Sequence, residues 1–490
     1  MSTLQPVNAR TGEPRGKPIP ASTPEEIDAA VMHAAAAADA WASSAPIKRA
    51  QLLRGLAGAL EIDAETLVAW AELETALGPV RLAGELERCA FQLRRFAELA
   101  EAGVPIAALV EPAVPGAPPR GHPGMMRQRL PLGPVAVFAA SAFPFGSSVL
   151  GGDTASALAA GCPVIVKAHP GHPGLSQRLH AVARPVLALN GLPEGLVGMV
   201  QGAEPEIGAA LLRHPQLAAV AFTGSQRSGL ALQALVQART RPIPFFGQLS
   251  ATNPVVALPE ALALRGAELA TALAATIAQG GGQFCTSPGV VLLLKDPASD
   301  EFVTQLTRLL GQHKPQPMLG ASTRSAFDAG VRSWLDHGAH PLLAPPGTPL
   351  APLSQLFQVS AARFLERPAL RDEVFGPACL LVRAESRDEV IEALRAVGAS
   401  LTVTLWGADA DTPDNHALVR AATAIAGRVL FSGVPTGVTI SPAQHHGGPW
   451  PVTTEPQHTS LGDAALDRFL RPVCLQDPPA WLQARRGLPC

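Results

Sequence analysis

Residues 133–167 read GPVAVFAASAFPFGSSVLGGDTASALAAGCPVIVK, and this stretch decides the fold class. Val135-Ala-Val-Phe-Ala139 is an apolar strand, residues 148–160 read as a helix, and Pro163-Val-Ile-Val166 is a second apolar strand. Strands with no polar face, joined through a helix, belong to a parallel sheet with right-handed crossovers. The alternation continues with a helix over 175–189, a strand over 197–201, a helix through Leu212 and a strand over 217–222. Its period of about 25 to 30 residues fits successive strand–helix–strand units.

Outward from this core, the first hundred residues read as helices. Thr23-Pro24-Glu25-Glu26 is a capping box with Pro at the first helical position, and helical periodicity resumes over 47–60, 64–77 and 83–101. Residues 104–123 are rich in Pro and Gly and read as a connection, followed by a strand over 125–130. A second α/β region begins near Pro244, with strands expected at 254–258, 289–294, 380–382 and 401–406 and a helix at 260–278.

Composition bounds the function. A chain of 490 residues has room for two or three domains. With 47% hydrophobic and 16% charged residues, it is not a solvated disordered chain. Lys plus Arg number 38 against 40 Asp plus Glu, which leaves no basic excess for nucleic acid or an anionic membrane. The uncharged runs 130–152 and 269–294 are broken by Pro131, Pro134 and Pro144 and by Gly280 to Gly282, unlike a membrane span. The N-terminal residues contain no apolar signal core, and the six cysteines show no CxxC spacing for a zinc site or disulfide framework. A cytoplasmic enzyme without a metal is expected.

Chemistry concentrates in three places. Cys285 sits in Gly280-Gly-Gly-Gln-Phe-Cys-Thr-Ser-Pro-Gly289, between an expected helix and an expected strand. An arbitrary lone Cys is usually a buried structural residue, but a Gly-rich loop beside a nucleotide-type domain favours a thiolate nucleophile. Phe222-Thr-Gly-Ser225 ends a strand and opens a helix, where exposed N–H groups favour an anion. Lys167 ends the strand PVIVK, at the edge where open α/β sheets present ligands; alone, it is an ordinary solvated strand end.

Together these segments resemble the aldehyde dehydrogenase superfamily. The resemblance rests on PLGPV at 131–135, FP at 143–144, ALAAGCPVIVK at 157–167, FTGS at 222–225, GQFCTSPG at 282–289 and EVFGP at 373–377. The segments GGDTASALAAGCPVIVKAHPGHPG and FSGVPTGVTISPAQHHGGPWPVTT are similar to the branch of α-ketoglutaric semialdehyde dehydrogenases and NADP-dependent fatty aldehyde dehydrogenases. The resemblance implies an α/β chain with a Rossmann-like coenzyme domain (1–115 and 133–243) and a catalytic domain (244–437). It also implies an oligomerisation arm (116–132 and 465–490) and a loop (438–464) returning to the active site. A homodimer or homotetramer is implied. Cys285 matches the nucleophile that carries the aldehyde through a thiohemiacetal and a thioester. Lys167 matches the ribose-binding lysine, Gly224 and Ser225 the pyrophosphate segment, and Glu373 and Phe375 the residues at the nicotinamide ribose and ring. Phe145, Phe284 and Trp450 are apolar candidates for the substrate tunnel, and Arg468 and Arg471 for a distal carboxylate; each also fits an ordinary core or surface role.

The coenzyme argument is physical. NAD-preferring relatives carry a carboxylate three residues after the lysine, where this chain has Pro170. A 2′-phosphate then meets no like charge, and Lys167 with His169 would pair with it, which favours NADP over NAD. Two catalytic positions depart from the family. Ala142 stands where an Asn donates to the oxyanion, and Gln248 stands where a Glu serves as base. Loss of an oxyanion donor typically costs about 100- to 1000-fold, and loss of a general base about 100- to 10,000-fold. Three readings follow: aldehyde oxidation with a replacement base, either another Glu or a His such as His445 or His446, a slower or repurposed enzyme, or a non-catalytic NADP-binding scaffold.

Overall fold

The computed structural model describes residues 2–484, so Cys490 and the end of the expected arm lie outside the described residues. The chain opens with a short hairpin, β1 (Thr3–Leu4) and β2 (Ile19–Pro20). Four helices follow, α1 (Pro24–Ala42), α2 (Pro46–Ile62), α3 (Ala64–Thr75) and α4 (Pro79–Glu101). The capping box is formed at α1: Glu26 N donates to Thr23 Oγ1, and Thr23 N donates to the Glu26 carboxylate. Along α4, Leu82, Leu86, Cys89, Leu93 and Phe96 are buried at helical spacing. Strands β3 (Leu109–Glu111) and β4 (Met125–Pro131) come next.

The alternation read from residues 133–167 is realised as β5 (Val135–Phe138), α5 (Gly152–Ala160), β6 (Val164–Lys167), α6 (Pro173–Leu189), β7 (Val197–Val200), α7 (Pro205–Arg213), β8 (Ala219–Thr223), α8 (Gln226–Gln237) and β9 (Phe245–Gln248). The five strands form a wholly parallel sheet in the order β7-β6-β5-β8-β9. Val164, Ile165 and Val166 are fully buried, each side chain contributing roughly 1.5–3 kcal/mol. Two expectations shift. Helix α5 starts at Gly152 rather than at 148, because turns occupy the chain from Pro144, with Gly152 N donating to Gly146 O. The seam drawn at 243/244 falls after Gln248 by strand pairing, since β9 completes the first sheet.

The second unit contains β10 (Val255–Ala257), α9 (Pro259–Ala278), β11 (Val290–Leu294), β12 (His340–Leu343), β13 (Gln355–Ser360), β14 (Ala378–Ala384), β15 (Ser400–Trp406) and β16 (Ala426–Leu430). Their sheet order is β12-β13-β14-β11-β10-β15-β16, with only β12 antiparallel. Helix α9 is apolar enough by composition to cross a membrane, yet Leu262, Leu269, Leu273 and Ile277 pack into the core beside β10 and β11. Strand β17 (Leu470–Gln476) pairs antiparallel with β4, which pairs with β3. The arm sheet therefore also takes residues 109–111 from the segment assigned to the coenzyme domain.

Parallel registers bring functional strand ends to one edge. Phe138 is level with Lys167 and Phe222, and Thr223 with Gln248. That edge is the crevice where open α/β sheets bind ligands. Residues 431–462 contain no helix or strand and dock on β9: Thr453 bridges Gln248, Gly247 N donates to Thr454 Oγ1 at 2.8 Å, and Leu249 N donates to Val452 O at 2.7 Å.

Candidate active site

Cys285 lies in the loop between α9 and β11, half-buried against Ala251, Leu401 and Val452. Gly280, Gly281 and Gly282 all adopt positive φ, near +60 to +68°. Their task is close backbone packing: a Cβ on Gly282 would lie 2.2 Å from Gly376 O, and one on Gly280 2.1 Å from Arg81 Nη1. The EVFGP segment and α4 are thereby pressed against the nucleophile loop. The other side of the loop is held by Asn253, itself at φ 51°. Its Nδ2 donates to Cys285 O at 2.9 Å and Ser287 O at 3.1 Å, and its Oδ1 accepts from Thr402 N at 3.2 Å. Sequence reading did not single out Asn253; its place before Pro254 was the available signal.

The sulfur faces a rebuilt set of partners. His446 Nε2 lies 3.8 Å from Cys285 Sγ. The imidazole is buried, its Nδ1 has no hydrogen-bond partner, and its backbone N donates to Thr459 Oγ1 at 2.8 Å. The Gln248 side chain lies near enough to the sulfur to favour its thiolate. Its Oε1 accepts from Ser460 Oγ at 2.7 Å, so the amide NH2 is the part turned to Cys285. Ser460 Oγ also lies 3.1 Å from His446 O, tying the amide to the histidine segment. Of the two replacement bases weighed from sequence, His446 reaches the thiol; the His445 ring instead flanks Gly427 and Gly447.

Electrostatics keep the resting pair neutral. Burial pushes the Cys285 thiol up to about 11, with Glu373 adding to the rise and Gln248 and Arg428 opposing it. Burial also drives His446 down to about 3, with help from Arg428, Arg88 and His445. A standing thiolate–imidazolium pair is therefore not the resting state. Glu373 is held up at about 7 by burial, although the Ser250 side chain and Ala251 backbone bind its carboxylate. Phe375 is half-buried two residues further on.

Ala142 has no side-chain donor, and its carbonyl accepts from Arg81 Nη2 at 2.7 Å. Arg81 lies over Phe284, 4.2 Å from its ring centre, and Phe143 packs edge-on to Phe284 at 5.4 Å. Phe284 thus belongs to the cleft wall. Phe145 is buried in the main core, its N–H bound by Glu85 Oε1, so Phe143 is the aromatic at this wall. Trp450 is 54% exposed on the docking loop and encloses nothing. Arg468 is buried against Asp153 at 2.7 Å, and Arg471 is exposed on β17, so neither is free to meet a substrate in the cleft.

At the coenzyme edge, Lys167 Nζ donates to Gly202 O at 2.6 Å and Ala168 O at 3.1 Å. Burial lowers its ammonium to about 8, partly offset by Glu204. His169 stacks on His172, and Gly171 N donates to its Nδ1, leaving Nε2–H as a donor. Burial first, then His172 and Lys167, hold His169 neutral, so it brings a hydrogen bond and no charge. Gly224 N donates to Gln248 O at 3.1 Å, and Ser225 caps α8, whose first turn contains no acid. A lysine at a strand end, a neutral donor and an acid-free helix N-terminus fit a dinucleotide.

Comparison with known proteins agrees with this geometry. Residues 2–439 match the aldehyde dehydrogenase family. The chain is 40% identical over 481 residues to an α-ketoglutaric semialdehyde dehydrogenase 2 of Azospirillum brasilense, covering 97% of this chain and 92% of that one. It is 38% identical to the α-ketoglutaric semialdehyde dehydrogenase of Acinetobacter baylyi, covering 97% and 91%. Its fold is similar to aldehyde dehydrogenase 21 from Physcomitrella patens in complex with succinate, with TM-score 0.83 at 18% identity over 98% of this chain and 96% of that one. It is likewise similar to PnpE in complex with nicotinamide adenine dinucleotide, with TM-score 0.83 at 22% identity over 98% and 95%. The chain belongs to the aldehyde dehydrogenase family. It is an oxidoreductase that oxidises an aldehyde with NAD(P).

Proposed function

We propose that this chain oxidises a short aldehyde carrying a distal carboxylate, with two catalytic roles exchanged between residues. The names of its relatives support the substrate class. The observation that carries the exchange is the trio at the sulfur: Cys285 Sγ 3.8 Å from His446 Nε2, with Gln248 turned by Ser460 so that its amide donates. Gln248 supplies the side-chain hydrogen-bond donor that Ala142 lacks, and His446 supplies the base that Gln248 cannot be.

Cys285 attacks the aldehyde carbon as its proton passes to His446, directly or through water. The Gln248 amide and the Cys285 backbone N–H stabilise the resulting alkoxide. Bound coenzyme supplies the hydride acceptor for the oxidation that leaves a thioester on Cys285. His446 releases the first proton to solvent, then takes one from water as the water attacks the thioester, and returns that proton to the Cys285 thiolate as the acid departs. Burial holds His446 at about 3 at rest, so it serves as base only as the negative charge developing on the bound substrate raises its basicity.

Lys167 and Nε2–H of His169 would hold a 2′-phosphate, with Pro170 in place of a repelling acid, so NADP is the preferred coenzyme. The exposed strand β3, with Leu109 and Val110 at the edge of the arm sheet, supports a homo-oligomer. Among the described residues five cysteines are free, which supports a cytoplasmic setting. The test is stopped-flow NADPH formation with succinic semialdehyde. Steady turnover is expected in the parent, and a single burst followed by a slow phase in His446→Gln. Absence of coenzyme reduction in the parent, or full-speed turnover in His446→Gln, would overturn the reading. Calorimetric titration with both coenzymes tests the preference, and equal affinities refute it.

A further inference from the structure

A second buried amide stands two residues before the nucleophile. Gln283 is fully buried, and both of its side-chain polar atoms are bonded. Its Nε2 donates to Gly280 O at 2.9 Å and to Pro317 O at 3.4 Å, and its Oε1 accepts from Leu319 N at 2.8 Å. The bond to Gly280 closes the glycine turn of the Cys285 loop. The other two tie that loop to a strap, residues 316–320, which contains no helix or strand.

Neighbouring residues of the strap are anchored in different cores. Met318 is buried in the core of the second sheet, with Val256 and Leu380. Leu319 packs against the core of the first sheet, which contains Val137 and Val166. The Leu319 carbonyl also lies beside the loop that follows Lys167: a Cβ on Gly171 would be 3.6 Å from Leu319 O, and Gly171 N donates to His169 Nδ1 at 3.0 Å. The strap therefore joins the two sheets next to the coenzyme edge, and Gln283 joins the Cys285 loop to the strap. Asn253 holds the same loop to the second sheet alone, through Cys285 O and Thr402 N.

We infer that Gln283 is a positioning residue that fixes the Cys285 sulfur at its working distance from the coenzyme edge. Its bonds go to main-chain groups, so it acts through Cys285 rather than on substrate. A buried amide with its bonds made is rigid, because breaking them leaves unpaired groups inside the protein. Hydride passes only between closely aligned atoms, and a misplacement of about 1 Å costs about 100-fold. This role rests on the proposed aldehyde oxidation and adds what sets its geometry.

The test uses Gln283→Met, which is similar in volume and has no amide, and Gln283→Glu, which keeps an acceptor for Leu319 N. Gln283→Met should lower kcat at least about 30-fold, while KM for the aldehyde and the calorimetric affinity for NADP stay within about threefold of the parent. With deuterium on the aldehyde carbon, the isotope effect on kcat should rise above that of the parent, because hydride transfer then limits turnover. Gln283→Glu should recover part of kcat. In the coenzyme-free variant, iodoacetamide should label Cys285 within about threefold of the parent's rate, since the thiol itself is intact. Losses of NADP affinity or of Cys285 labelling as large as the loss of kcat would mean that the amide only holds the fold, and would overturn the role. So would an unchanged kcat or isotope effect. If the parent reduces no coenzyme, the proposed function fails by itself. The effect of NADP on Cys285 labelling then decides the role: bound NADP should slow labelling in the parent and much less in Gln283→Met. No protection in the parent, or equal protection in both, overturns it.

Discussion

The two sides of the cleft are built differently. On the coenzyme side, Lys167 ends β6 while Gly224 and Ser225 follow β8, two parallel strands on either side of β5, each residue positioned by its own strand and turn. On the reaction side, Cys285, Gln248, Ser460 and His446 come from three distant segments, and the contact between Cys285 and His446 spans 161 positions. The coenzyme side keeps the family's residues where local geometry puts them. On the reaction side, Ala142 and Gln248 stand where the family resemblance implies an Asn and a Glu, and a loop that docks on β9 brings His446 to the sulfur. A binding surface made of strand ends resists rearrangement, whereas a loop docked by a few hydrogen bonds can bring a new group to the same atom.

The sharpest way to break this comparison is at the sulfur. Cys285→Ala should abolish NADPH formation, at least about a thousandfold down, while coenzyme affinity by calorimetry stays near that of the parent. Comparable losses of both would show that the two sides are one unit. His446→Gln should lower steady turnover about 100- to 1000-fold, with thioester accumulating on Cys285 by intact-protein mass spectrometry. Gln248→Glu in the His446→Gln background should recover part of that loss. In the parent the same change places a carboxylate beside the thiol and should slow acylation. A parent accelerated by Gln248→Glu would refute the exchanged roles.

On the coenzyme side, Pro170→Glu should weaken NADP relative to NAD by at least about tenfold, through repulsion of the 2′-phosphate. An unchanged ratio would remove Pro170 from the preference.

The smallest expected effects concern the supports of each side. Asn253→Ala leaves the Cys285 and Ser287 carbonyls without their donor and should cost about 1–3 kcal/mol, read as a lower Tm. Glu74 supports the coenzyme side, accepting from Gly174 N at 2.9 Å and Leu175 N at 2.8 Å at the start of α6. Burial raises its carboxyl from 4.5 to about 7. Between those values the native chain keeps a proton that the unfolded chain releases, so stability falls as pH rises through the window. The loss is about 3 kcal/mol for that shift. Thermal melts at pH 5 and pH 8 should therefore differ less in Glu74→Gln than in the parent.

The strand–helix alternation was legible because each unit is local: Val164 to Val166 are buried on both faces, and no polar residue interrupts them. The four-residue strand β9 was not, since Phe245-Phe-Gly-Gln248 contains no period long enough to measure. Among the tunnel aromatics, an apolar ring had the same meaning in a core as in a cleft wall. Phe145 went to the core, Phe284 to the wall and Trp450 to the surface.

The sequence by itself determined the class of fold and the family, because these depend on periodicity and on motifs a few residues long, and the same motifs nominated Cys285 and the coenzyme strand ends. It also exposed the two losses at Ala142 and Gln248. Only the tertiary structure decided what answers them. The direction in which the Gln248 amide points depends on Ser460, and the basic group at Cys285 depends on how residues 431–462 dock.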